Sequence, residues 1–154
     1  MRKYGMLGLM VAVSTVLMLG VSYLNVERPD HIYLSESRIY MAFMMGAIMA
    51  VVMLTFMRGM YPNRRANAVI YLGAVIVFAG SLWLVRSQRT VSDVSWMMGM
   101  IPHHSIAILT SDRAQLKDPR VRALAHNIAE TQRREIGEMK ALLDSLGWKN
   151  RLEH

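Results

Sequence analysis

Met100, Ile101, Pro102, His103 and His104 place a thioether and two imidazoles around a proline within one short run. Soft sulfur and borderline nitrogen donors in one stretch suit copper(I). About thirty residues further on, Gln132, Glu135, Ile136 and Met139 recur at three- and four-residue spacing, which sets them along one side of a helix. If the chain folds back between the two runs, both converge on one polar patch.

The elements that must position these groups can be read from their flanks. Ser92 or Asp93 is suited to cap a helix running to about Leu116, Lys117-Asp118-Pro119 makes a turn, and a second helix runs to about Leu146, before Gly147. The first helix offers Val94, Met97, Met98, Ile101, Ile108 and Leu109 as an apolar side. The second offers Leu124, Ile128, Met139, Leu142 and Leu146, with Gln132 and Glu135 interrupting the stripe. Counting outward from the turn of an antiparallel hairpin, His103 falls opposite Gln132 and Arg133, Met100 opposite Glu135, and Met97 level with Met139.

Adjacent histidines leave a helix about 100° apart, so regular geometry lets only one of His103 and His104 join Met100. Pro102 is expected to relax that restriction by freeing carbonyls in the preceding turn. Glu135 on an apolar stripe needs a partner. Arg133 and Arg134 leave the helix in other directions, so the partner is expected from the first helix or from another subunit. His126 and Glu130 lie off the stripe and read as exposed surface.

Upstream, three stretches without a charge, residues 4–24, 39–57 and 66–85, each approach the roughly 20 residues needed to cross a bilayer. The first, preceded by Arg2 and Lys3, could serve as a secretory signal ending near Gly20-Val21-Ser22, but its apolar run exceeds a signal core and it reads as a retained span. Arg2, Lys3, Arg58, Arg64 and Arg65 fall on one side with no acid among them. Arg28, Arg38, Arg86 and Arg89 on the other are mixed with Glu27, Asp30 and Glu36. Positive charge held inside then predicts an inner (plasma) membrane protein with a cytoplasmic N-terminus and a periplasmic or extracellular C-terminal hairpin.

The 154 residues thus divide into a three-helix transmembrane domain over 1–89 and a hairpin domain over 90–151, with 152–154 resembling an expression-tag remnant. The loops 25–37 and 58–65 read as connectors: Arg28-Pro29-Asp30 is a turn, Ser35 or Ser37 is placed to cap the second span, and Tyr61-Pro62-Asn63 closes a tight hairpin between spans two and three. Met41, Met45, Met49, Met53 and Met57 repeat every fourth residue along the second span. Such a row is either a thioether path for copper(I) or flexible apolar packing. No intramembrane charge or histidine accompanies it.

The net charge of +7 does not point to nucleic acid, because half of the basic residues flank membrane segments, where topology and lipid headgroups account for them. The absence of cysteine suits an oxidising compartment in which methionine handles a soft metal. No phosphate loop, serine nucleophile, zinc-protease motif or Glu-x-x-His pair is present, so the expectation is a protein that is not an enzyme.

Asp93, Trp96-Met97, Met100 to His104, Ala107, Arg122 to Ala125, Ile128, Gln132, Glu135-Ile136 and Met139 closely resemble the DUF305 family over residues 92–146. The resemblance implies a ferritin-like helical bundle and, for some members, periplasmic copper binding with a part in copper resistance. It carries metal contact onto Met100, His103, His104, Glu135 and Met139. Soluble relatives often hold two copies of the hairpin, whereas this chain has one copy behind three spans. A lone hairpin cannot enclose a core, so the expected fold is all-α: three transmembrane helices, then an antiparallel hairpin that forms half of a four-helix bundle completed by a homodimer. The expected function is extracytoplasmic binding of copper(I), or of another divalent metal, by a membrane-anchored protein. A copper transporter using the methionine row and a metal-free oligomeric scaffold are the alternatives.

Overall fold

A computed structural model describes residues 2–148; the reading of 152–154 lies outside the described residues. Among the described residues the regular structure is helical throughout: α1 (Arg2–Val21), α2 (Glu36–Phe56), α3 (Arg64–Ser87), α4 (Asp93–Arg113) and α5 (Pro119–Ser145), with short 3-10 turns at Pro29–His31 and Arg58–Met60. The expected all-α class is therefore observed. Helices α1, α2 and α3 are each long and apolar enough to cross a membrane, and at 1.5 Å per residue each reaches roughly the 30 Å of a hydrocarbon core.

The chain forms two compact units, the first comprising α1, α2 and α3 and the second comprising the segment Tyr23–Ser35 with α4 and α5. In the first unit α2 packs against both α1 and α3. Buried Leu7, Leu54 and Tyr61 form its core, with Tyr4, Met53 and Met57 packed around them. Asn63 caps α3 by accepting from the amides of Arg65 and Ala66, and its own amide donates to the Tyr4 hydroxyl at 3.1 Å, which ties the α2–α3 turn to α1. Gly46 is required where α1 meets α2: a Cβ there would lie 2.5 Å from Thr15 Oγ1, and that hydroxyl is anchored to the Val11 carbonyl at 2.8 Å. Small residues let membrane helices approach in this way. An apolar cavity of about 600 Å³ is lined on its α2 side by residues such as Ala42, Gly46 and Ala50 and by no member of the methionine row.

In the second unit, Ser92 caps α4 by accepting from the Ser95 amide at 3.2 Å, and Asp118 caps α5 with Pro119 in its first turn. Helix α5 ends at Ser145 with Leu146 as its C-cap, and Gly147 takes a positive φ of 61°, a conformation open to glycine without a Cβ penalty. Met97, Ile101, Ile108, Ile136, Met139 and Leu143 make the core between the two helices. Full burial of each aliphatic side chain contributes about 1.5–3 kcal/mol. Pro102 does not interrupt α4, which runs on as helix to Arg113.

Four expectations need correction. Helix α1 stops at Val21 rather than near residue 24, because Ser22 turns its hydroxyl onto the Leu19 carbonyl at 2.6 Å and Tyr23 already belongs to the second unit, its hydroxyl donating to the Tyr33 carbonyl. Helix α4 ends at Arg113 instead of Leu116. Ser35 does not cap α2: its Oγ is buried and makes no hydrogen bond. The fourth concerns α5, whose inward side carries Ala129, Ile136, Met139 and Leu143, while Leu124, Ile128, Leu142 and Leu146 are exposed. Helix α5 is apolar over two adjacent sides, and a stripe drawn from spacing alone selects the outer one.

Nor is the first loop a mere connector. Tyr23–Ser35 packs along the hairpin: Lys140 Nζ donates to Asp30 Oδ2 at 2.6 Å, Arg133 lies 3.7 Å from Glu27, and the Tyr33 ring meets Trp148 edge-on with centroids 5.6 Å apart. Lys140 and, after it, Arg28 hold the Asp30 carboxyl far below the usual carboxylate range.

Candidate metal centre

At the middle of the hairpin, one turn of α4 carries Met100 and His104 on successive levels, and α5 presents Glu135 opposite them. The His104 ring is buried. Its Nδ1 lies 3.0 Å from the Met100 carbonyl oxygen and its Nε2 lies 2.8 Å from Glu135 Oε2. Both partners are acceptors. The 2.8 Å separation is that of a hydrogen bond, Nε2–H to carboxylate; a metal held by both groups at about 2 Å each would need them to part. The Glu135 side chain is 41 % exposed, and Gln132 Nε2 approaches its Oε2 at 3.5 Å.

Of the five residues singled out from the sequence, His104 and Glu135 are in direct contact, and Met139 is buried in the core with Met97. Met100 is half-buried and packs against that core. His103 is exposed, its ring turned from that of His104 with centroids 6.1 Å apart and planes at 64°, as the helical repeat requires of neighbours. Arg133 pairs with Asp112 and Glu130, and Arg134 with Glu138. Neither reaches Glu135 in place of His104.

Among the described residues no three histidine, aspartate or glutamate side chains converge. Within one chain the groups in contact are one imidazole and one carboxylate, with Met97 and Met139 in the hairpin core and Met100 packed against it. Such a set fits a soft monovalent ion better than a hard divalent one, which favours more oxygen and nitrogen ligands.

A second polar cluster was not anticipated from the sequence. Ser105 is completely buried, its Oγ accepting from the Glu27 amide at 2.7 Å and lying 2.9 Å from Nδ1 of buried His31. His31 stands some seventy residues from Ser105 in a stretch that looks like an ordinary polar loop, so no local pattern could have joined them. Burial, and next the charge of Lys140, push the His31 pKa below its usual 6.5, while Asp30 and Glu27 oppose the shift. The fold therefore favours the neutral form of His31. Its contribution is complete above the unfolded-state value of 6.5 and is lost as pH falls from there through the lower folded-state value. Acidification from pH 7.5 to 5 is expected to loosen Tyr23–Ser35 first, raising amide exchange at Glu27. His31→Gln should flatten that dependence. A wild-type Glu27 amide whose protection stays level between these pH values would contradict this assignment.

Residues 93–154 match the model of a domain of unknown function, DUF305. An uncharacterized protein of Acanthamoeba polyphaga mimivirus is 31 % identical over 115 residues, spanning 73 % of this chain and 74 % of that protein. That alignment is longer than the family segment, so the likeness reaches into the apolar helices. No solved structure matches the chain. An all-α chain with a His–Glu pair at the centre of a terminal hairpin, it belongs to the DUF305 family.

Proposed function

We propose that this protein is a membrane-anchored metal-binding protein that holds copper(I) outside the cytoplasm for sequestration or transfer. The observation that carries the reading is the His104–Glu135 pair set against a methionine-rich core, with Nε2 and Oε2 facing each other across 2.8 Å. His104 would supply nitrogen, Met100 and Met139 sulfur, and Glu135 either a ligand or the acceptor that orients the imidazole. His103, on the solvent side, is placed to receive or release the ion. The bound ion would supply no reaction here; it is cargo.

The make-up of the second unit supports one topology over the other. Tyr23–Ser35 and the α4–α5 hairpin fold together, which supports a reading in which both lie on one side of the membrane with α2 and α3 as the crossings between them. With acid-free basic loops held inside, that common side is the periplasmic or extracellular one and the N-terminus is cytoplasmic.

Titration of the full chain in detergent with copper(I) against a competing chelator is expected to give one tight site. His104→Ala should weaken it by about 100-fold or more and His103→Ala by less, on the scale of losing a ligand against losing an outer contact. Equal affinity in wild type and His104→Ala would remove the copper reading. The metal-free scaffold would then be favoured, since a proton between His104 and Glu135 also satisfies both groups.

A further inference from the structure

The α4–α5 hairpin has two broad sides. One is covered by Tyr23–Ser35, through the Glu27 and His31 contacts to Ser105 and the close approach of Ser35 to Gly99. The other is bare. On α5 it carries Leu124, Ile128, Leu142 and Leu146, which are 58, 39, 53 and 44 % exposed. Turning α4 by 100° per residue away from the side that meets α5, and away from Ser105, brings up Trp96, Met100, His103 and Ala107. Trp96 is 51 % exposed and His103 is exposed. In an antiparallel pair this side of α4 is level with the outer stripe of α5. A contiguous exposed apolar strip rimmed by polar residues is the mark of an interaction surface.

The spacing of the α5 stripe says what covers it. Ile128 stands seven residues before Glu135 and Leu142 seven after; Leu124 stands eleven before and Leu146 eleven after. The row reads the same in both directions from Glu135. An eleven-residue repeat also keeps such a row nearly straight along a helix. A surface of this kind is complementary to itself under a two-fold axis perpendicular to α5, which brings Ile128 onto Leu142 of a second copy and Leu124 onto Leu146. The flanking charges agree: Arg134, one residue before the centre, and Glu138, three after, share one edge of α5. In the antiparallel pairing each Glu138 comes within about two residues' rise, roughly 3 Å, of the level of the other copy's Arg134.

We propose that a second copy of this chain packs antiparallel on the bare side of the hairpin, about a two-fold axis through Glu135, closing a four-helix bundle in which Met100, His103 and Glu135 of both copies meet. The pairing stands on the stripe; its consequence for metal rests on the copper reading above. It accounts for the incomplete site within one chain. Three of the five donor residues sit on the side that the partner closes, and two facing carboxylates at the axis supply the negative charge that retains a cation there.

The chain has no cysteine, so linking can be read without background. The full protein, in detergent and again in lipid vesicles, is treated with a short bis-maleimide in the presence of a metal chelator. The double variant I128C/L142C is expected to give a covalent dimer, as is L124C/L146C. Single variants I128C and L142C should stay uncrosslinked, because like positions lie about 21 Å apart along the bundle, fourteen residues at 1.5 Å each. Glu135→Cys alone should link, being on the axis. Linking of the single I128C variant would mean parallel helices and would overturn the proposal. So would failure of both double variants in proteins of wild-type helicity, the outcome expected if the stripe instead rests on lipid. Copper(I) titration of the linked dimer separates the two readings: linking without copper binding leaves the pairing intact and removes the metal, and copper binding by a chain that does not link does the reverse.

Discussion

Replacing Ile101 with alanine is expected to destabilise the second unit by about 2–5 kcal/mol, the range for truncating a buried aliphatic side chain that leaves a cavity. Ile101 has no exposed surface and lies on α4 between Met97 and His104, in the core shared with Ile136, Met139 and Leu143. Set against a typical domain stability of about 5–15 kcal/mol, the loss is a large fraction of the whole. Denaturant unfolding of the full chain in detergent, followed by Trp148 fluorescence in a background with Trp83 and Trp96 replaced by phenylalanine, should show the midpoint fall with its slope unchanged. A change below about 1 kcal/mol would mean that the α4–α5 core closes around the vacancy and does not hold the site rigidly.

The second large effect is a separation of functions at Glu135. Glu135→Leu should tighten self-association by at least tenfold while lowering copper(I) affinity by ten- to a hundredfold. The substitution joins Ile128 to Leu142 in one continuous apolar row and removes two like charges from the axis, and it also takes away the group that orients the His104 imidazole. Sedimentation in detergent over a range of protein concentrations measures the first effect and chelator competition the second. Unchanged association would place Glu135 away from any interface between copies. Unchanged copper affinity would leave its carboxylate with no part in holding the ion.

The sequence discloses this architecture unevenly. The three apolar helices, the Ser92 cap, the turn at Lys117-Asp118-Pro119 and the placing of Met97 level with Met139, which share one core, depend on residues close together or on simple counting from a turn, and each is legible. Which histidine meets Glu135 is a matter of about 100° of helix rotation, and counting by level could not choose between His103 and His104. The burial of α5 was misassigned for a related reason: Leu124, Ile128, Leu142 and Leu146 are as apolar as Ile136 and Leu143, and only the position of α4 decides which set turns inward. The His31–Ser105–Glu27 cluster carried no signal at all, since it joins a short polar loop to the middle of a distant helix.

That cluster has a consequence for how the protein is made. Asp30 and Lys140, which meet at 2.6 Å, are separated by 110 positions in the chain. At a synthesis rate of roughly 5–20 residues per second, Tyr23–Ser35 waits about 5–20 s after leaving the ribosome before its partners on α5 exist. Throughout that interval His31 lacks its Ser105 partner, and α2 and α3 must be laid down before α4 can begin. The second unit is therefore the last part of the molecule to mature, and its first-made segment is the last to find its place. A fragment beginning at α4 would lack the strip that covers Ser105, so it would present two bare sides where the whole chain presents one.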